Sequence, residues 1–434
     1  MSTPLANAIA DRHREVALLL PGAALPWLKR RRTDALERFA GAGLPTQRQE
    51  IWKYTPLHAL SAAELDWAGT LPGEPVIDRL PTISQSTSSH RLVLVNGRFR
   101  ADLSTIGTLP KGVVLGGLAE VLATAPALAE SLLGKLAPAD PLVDLNDAFL
   151  ADGLLLHVPR GTAVDAPIEL VLINQGRSQA WHPRVAISLE DNAAASVVEH
   201  HVGPVTSNCV SNLVAEIEIG AGARLRHARI QREGSEAFHL ANIAVRLGRD
   251  AALSQFTFSV GARLARTQSS VTLGGKGATA HVSAAYAARG NQHTDFTSRI
   301  EHAEPHGISR QIVHGVLDDH ARAVFQGKIV VQPGAQKSDG HQLNRALLLS
   351  DAAEIDSKPE LEIWADDVKC SHGATTGALD ESALFYLRSR GVPHEEARGL
   401  LVGAFLAEAL EEIADSDARA FARDLAETWL GWRP

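Results

Sequence analysis

The pattern of apolar and polar positions divides the chain into three stretches. The first, up to about residue 135, reads as mainly helical, with Ala, Leu and Arg dominant. Pro26 is placed to open a helix through Trp27, Leu28 and Arg31 to Phe39, with Gly41 and Gly43 ending it. An aromatic segment, RQEIWKYTPL (48–57), overlaps the span between Pro45 and Pro56. Residues 72–89 combine Pro and Gly with a polar SQSTSS run and predict a linker or long loop. RLVLVNGRFR (91–100) then predicts a strand, an Asn-Gly turn and a second strand, a hairpin.

From about residue 140 to 370 the period changes. Short alternating runs appear at 154–158, 168–173, 185–189, 213–219 and 243–247, punctuated by Gly, Asp and Asn. A weak motif recurs: an apolar residue, then a small residue four positions on, then usually an apolar one two further. It starts at Leu189, Ile219, Leu247, Leu273, Leu317 and Leu349, at spacings of 30, 28, 26, 44 and 32. The long gap implies a missed unit or an insertion. Each unit is too short to bury its own apolar face, so stacking is the physical solution. Strands and tight turns at this period, without intervening helices, predict a right-handed parallel β-helix, with a β-sandwich as the rival.

The third stretch returns to helix. Asp380 and Glu381 suit a first turn, Arg388 and Arg390 a last turn, and Gly391 the position beyond it. Pro393 suits the first position of the next helix, on which Ala397, Leu400, Leu401, Ala404 and Phe405 form one apolar stripe. Such a stripe packs on the protein's own body or on a partner. The expected organisation is mainly β: a helical region with a small hairpin (1–138), a parallel β-helix core (139–374) and a C-terminal helical domain (375–434).

Composition narrows the function classes. The 434 residues carry 42 Lys+Arg against 50 Asp+Glu, a net charge of −8, which disfavours nucleic acid as a partner. Aromatics at 5% argue against a carbohydrate cleft of stacked rings. Cys209 and Cys370 are the only cysteines, too few for a disulfide scaffold or a four-cysteine metal site in one chain. The amino terminus lacks a signal peptide's basic start and apolar core, and no stretch approaches the ~20 apolar residues of a membrane span. The expected location is the cytoplasm.

Several chemistries are absent as motifs: GxxxxGK[ST], GxGxxG after a strand, HExxH, CxxC and GxSxG. Eight of 18 His lie between 281 and 372, at no recognised ligand spacing, and most are expected to be solvated or structural. Cys370-Ser371-His372 differs, because in an extended strand its thiol and imidazole point to one face. There the imidazole can lower the thiol pKa or share a metal, although two ligands do not complete a site. Whether His341 or Glu362 joins them is not readable from sequence.

The run KPELEIWADDVKCSHGATTGALDESALFYLRSRGVPHEEARGLLVGAFLAEAL (358–410) resembles the end of the SufB/SufD family of the SUF iron–sulfur cluster assembly machinery. LNDAFLADGLLLHVPRG (145–161) resembles the start of that family's β-helix, and QEIWKYTPL (49–57) its amino-terminal signature. Gly373 and the modest length favour the SufD side, because SufB typically carries Glu after this His and more cysteines. The resemblance implies a non-catalytic scaffold in a complex with a SufB-type paralogue, paired through the β-helices, and a SufC-type ABC ATPase. It implies that His372 contributes to a nascent iron–sulfur cluster at the subunit interface, with a less clear role for Cys370. It further implies that the C-terminal helices dock the ATPase, with Leu384, Leu387, Leu400, Leu401, Ala404 and Phe405 as the contact residues. No nucleotide is expected on this chain. Flavin in the complex and a homodimer of the isolated chain stay open. The alternatives are a stand-alone His-rich metal-storage protein, a SufB-like paralogue, and a polysaccharide lyase, for which repeated carboxylate pairs are missing.

Overall fold

A computed structural model describes residues 4–68 and 90–431. The linker expected at 72–89 lies outside the described residues. The centre is a two-sided parallel β-solenoid. Successive strands alternate between two long sheets, so each coil contributes one strand to each. Between Gly153 and Gly377 all strand pairing within the sheets is parallel, which removes the sandwich alternative.

The alternating runs explain why these residues form strands. In Val210–Ile219, Leu213, Ala215, Ile217 and Ile219 share the inner face, where each stacks on its counterpart one coil away. One such ladder runs Leu156, Ile187, Ile217, Val245, Val271, Ile300, Ile329, Leu361. Each fully buried aliphatic rung contributes roughly 1.5–3 kcal/mol.

The coil also explains the irregular repeat. Leu189, Ile219, Leu247 and Leu273 stand in one register at the ends of second-sheet strands. The next position in that register is His302, whose polarity hides the unit. Leu317 and Leu349 belong to the first sheet's track, one ending strand Ile308–Leu317 and the other just after Asp339–Leu348. The gap of 44 is therefore one coil plus half of another.

The hairpin forms as expected and does more. Asn96 and Gly97 both take positive φ (53° and 72°), the conformation a two-residue turn of this hand requires. His90–Val95 pairs antiparallel with Arg98–Phe99 and parallel with Ile168–Ile173, capping the first sheet. Val114–Gly117 caps the second by pairing antiparallel with Gly153–Val158. The helix opened by Pro26 runs Pro26–Ala42 and ends at Gly43, whose N–H donates to Phe39 O at 2.7 Å. It packs on helix Pro141–Ala148. Arg184, wholly buried, ties that helix to the solenoid by donating to Asn146 Oδ1 (3.0 Å), Asp147 and Glu216 Oε2 (2.7 Å).

At the other end, helices Glu381–Ser389, His394–Leu410 and Ser416–Trp429 fold back over the outer face of the first sheet. Asp380 caps the first, accepting from Ser382 and Ala383 N–H. Pro393 sits one residue before the second helix rather than at its first position.

Candidate functional site

Cys370, Ser371 and His372 lie on strand Lys369–Gly377, which ends the first sheet. Register fixes their faces. Cys370 pairs with Gly340 and His372 with Gln342, and Gln342 is buried, donating across the interior to Gly327 O at 3.2 Å. Cys370 and His372 thus sit on the inner side of the last coil, with no further coil above them. His372 is exposed. Cys370 is half-buried against Ile329, Val331, Ala335 and Ala365. Burial pushes the Cys370 thiol up from its usual range, and Asp339 adds to the rise. The structure therefore does not support a thiolate activated by the neighbouring imidazole.

Glu362 does not join this pair, whereas His341 lines one cleft with His372 from the opposite side of the sheet. His341 is the register partner of Ser371, on the outer face. Its Nδ1 meets Ser371 Oγ at 2.5 Å, and Asp339 Oδ1 accepts from its Nε2 (2.8 Å) and from Arg310 Nη1 (2.8 Å). This group, with His281, Leu343, Glu412 and His372 itself, lines a cleft of about 400 Å³ at the strand edge. Glu362 lies on the outer face of the second sheet, paired with Lys328 at 2.6 Å and accepting from Trp364 Nε1 at 3.0 Å. Of the other histidines in that window, His302 and His314 are buried, bonded to Ser309 Oγ (2.8 Å) and to Phe405 O (3.0 Å).

The apolar stripe on helix His394–Leu410 is rotated from its expected place. Val402, Leu406, Ala409 and Leu410 face the solenoid, against residues such as Phe256, Phe258 and Val316. Phe405 is half-buried and stacks on His314 with ring centroids 4.7 Å apart. Leu400 and Ala404 are exposed, Leu401 and Leu387 are intermediate, and Leu384 is buried. Leu384 is thus buried and Phe405 engaged within the chain, while Leu400 and Ala404 are the most open of the six residues expected to contact the ATPase. The i, i+3, i+4 rule found an apolar stripe, but this helix is apolar on two faces, and the rule cannot say which one the solenoid takes. Phe385 and Tyr386, missed by the stripe, are 72% and 57% exposed beside it.

Sequence reasoning also missed where histidines meet. The convergence is not in the His-dense window but inside earlier coils, where Glu199, His201, His227, Arg229, Glu233 and His239 form one buried network. The only available signal was the coil length: Glu199 and His227 are 28 residues apart and stack because a coil there is 30 residues less two steps along the strand.

The geometry is that of a parallel β-solenoid with one covered end, one end bare among the described residues that carries a thiol and an imidazole, and helices folded over one face. The comparisons give it a family. A family model described as "SUF system FeS cluster assembly, SufBD core domain" matches residues 171–405, and "SufBD protein N-terminal region" matches residues 8–170. The chain belongs to the SufBD family of the SUF iron–sulfur cluster assembly system. It is 32% identical to an iron–sulfur cluster assembly SufBD family protein of Synechocystis, covering 89% of this chain and 87% of the relative. It is 32% identical to the iron–sulfur cluster assembly protein SufD of Escherichia coli, covering 88% of each. It is 26% identical to SufD of Bacillus subtilis, covering 94% of this chain and 93% of that one. Among the described residues no helix is long and apolar enough to cross a membrane.

Proposed function

We propose that this chain is a non-catalytic scaffold subunit of iron–sulfur cluster assembly. In this reading it pairs with a SufB-type paralogue through the bare end of the solenoid and with a SufC-type ATPase through its C-terminal helices. His372 is a ligand offered to the nascent cluster, which is cargo shared with the paralogue.

The observation that carries the reading is the pair of sheet ends at one site. Glu354–Ile363 and Lys369–Gly377 are long, largely solvent-accessible strands, each last in its sheet. An edge of that length is an invitation to pair. Pro359, at the middle of one, lacks an N–H and fits only an edge. The inner position of His372 puts its ring beside whatever continues the stack. Cys370, shielded and neutral, is assigned a packing role. The exposed Leu400, Ala404, Phe385 and Tyr386 are assigned to the ATPase.

Anaerobic co-purification of the chain with its partners tests the assembly, and cluster content of the complex tests the ligand. His372→Ala is expected to leave the complex intact and lower cluster content several-fold. Leu400→Glu is expected to remove the ATPase and leave the paralogue. Recovery of the chain without either the ATPase or the paralogue would overturn the scaffold reading, and an unchanged cluster content in His372→Ala would overturn the ligand role.

A further inference from the structure

The interior of the solenoid is not apolar throughout. At the corner where first-sheet strands turn into second-sheet strands, two neighbouring coils bring three donor groups together. His201 is near the end of strand Ala194–Val202, Glu233 directly follows Arg224–Arg232, and His239 is second in Phe238–Leu247. One ring nitrogen of each histidine and a carboxylate oxygen of Glu233 lie within 4.8 Å of one another. All three side chains are shut off from solvent.

The surrounding network holds two buried carboxylates. Glu199 accepts from Arg229 Nε (2.9 Å) and His227 Nε2 (2.8 Å), and lies 2.8 Å from His201 Nε2. Glu233 meets imidazole and amide nitrogens: His239 Nδ1 at 2.9 Å, Gln231 Nε2 at 2.7 Å and Asn174 Nδ2 at 3.2 Å. Arg229 is the one guanidinium bonded to these two carboxylates and it holds Glu199, so the countercharge at Glu233 comes from a protonated imidazole or from a bound cation. A buried anion left without a countercharge is costly.

His201 is also poorly satisfied as it stands. Its Nε2 lies 2.8 Å from Glu199 and 3.2 Å from Arg229 Nη2. One nitrogen cannot donate to the carboxylate and accept from the guanidinium at once. Its Nδ1 is buried with no partner. Arg229 Nη2 stands 3.5 Å from His239 Nε2 as well, so a cationic nitrogen already reaches toward both rings.

We propose that His201, His239 and Glu233 hold a resident divalent transition-metal ion of the Fe²⁺ or Zn²⁺ class. Two imidazoles and a carboxylate are the donor set those ions take. Metal–ligand bonds of about 2.0–2.2 Å require donor atoms closer together than 4.8 Å, which small rotations of these side chains supply. Glu199 beside His201 is the outer carboxylate that commonly orients a ligand imidazole. On loading, Arg229 keeps its Nε bond to Glu199 while Nη2 withdraws. The ion is structural rather than cargo, because a sealed corner offers no exchange with a partner. The inference is independent of the role given to the bare end.

The test uses the full chain carrying Cys370→Ser and His372→Ala, which removes the other candidate ligands. It is unfolded, freed of metal and refolded anaerobically in a graded series of Co²⁺ concentrations. The expected result is one equivalent bound, a ligand-field spectrum of low-coordinate cobalt, and a higher melting temperature. In His239→Gln or His201→Gln, checked for folding by circular dichroism without metal, affinity falls by about 100-fold or more. Absence of tight Co²⁺ binding in the parent overturns the proposal. So does binding that both variants leave unchanged. An imidazolium signal from His201 or His239 in the metal-free chain that persists after Co²⁺ is added also overturns it, because a proton then fills the place assigned to the ion.

Discussion

The two ends of the solenoid meet the same physical problem in opposite ways. A stack of coils must stop, and each stop exposes two sheet edges and an open apolar interior. At the first end the edges are covered: Arg98–Phe99 and Val114–Gly117 pair antiparallel with the outermost strands, and helices lie alongside. A wholly buried Arg184 fastens that cover through Asp147 and Glu216. At the last end, Glu354–Ile363 and Lys369–Gly377 have no such cover among the described residues, and the interior opens on Cys370 and His372. The covered end uses its polar residues on its own fold. At the bare end the polar pairs, such as Lys328–Glu362, lie on the sheet faces and cover neither edge.

Three predictions press on that contrast. The largest effect belongs to the covered end. Arg184→Leu leaves Glu216 buried without its cation and Asp147 with Arg31 alone, and unfolding free energy should fall by about 3–5 kcal/mol in urea titrations. A loss below 1 kcal/mol would mean that the cover is not fastened there.

The second effect is acid sensitivity. Burial holds His182, at the covered end, and His302, nearer the bare one, at pKa values of about 4. In the unfolded chain each returns to about 6.5. Between those values the unfolded state binds the proton and the folded state does not. Stability is therefore complete above pH 6.5 and declines as pH falls toward 4, by up to about 1.4 kcal/mol per unit for each such histidine. His182→Gln should flatten the decline by one histidine's share, and an unchanged slope would remove that residue from the account.

The smallest effect on folding, and the sharpest on assembly, belongs to the bare end. Trp364→Asp, at a residue 62% exposed, should shift stability by under about 0.5 kcal/mol and yet weaken pairing with the paralogue in co-purification. Full pairing would move the interface away from this edge.

The sequence carried the solenoid because alternation and coil length are local signals. The runs at 154–158, 168–173, 185–189, 213–219 and 243–247 all fall inside observed strands. The Asn-Gly hairpin was legible for the same reason, whereas its capping of the first sheet depends on residues more than 70 positions away. Cys370 and His372 share a face, as two-residue spacing requires, but the shielding of the thiol depends on Ile329 and Val331, which no local pattern names. Which helix face the solenoid takes was not legible, because Val402 and Leu406 are as apolar as Leu400 and Leu401. The buried network at Glu199 and His239 stayed invisible, because it exists only once the coil is closed.

The coil offsets carry a further consequence. Residues stack at separations that range from 26 in Phe238↔Leu264 to 32 in Arg322↔Glu354, yet inner residues stay inner throughout. The strands keep count and the corners absorb the difference. Parity is therefore conserved where length is not. A residue added at a corner lengthens a loop and changes nothing else, whereas the same residue added within a strand turns the rest of that strand inside out. Evolution can thus enlarge this molecule sideways at its corners while every rung already in place goes on serving the same neighbours.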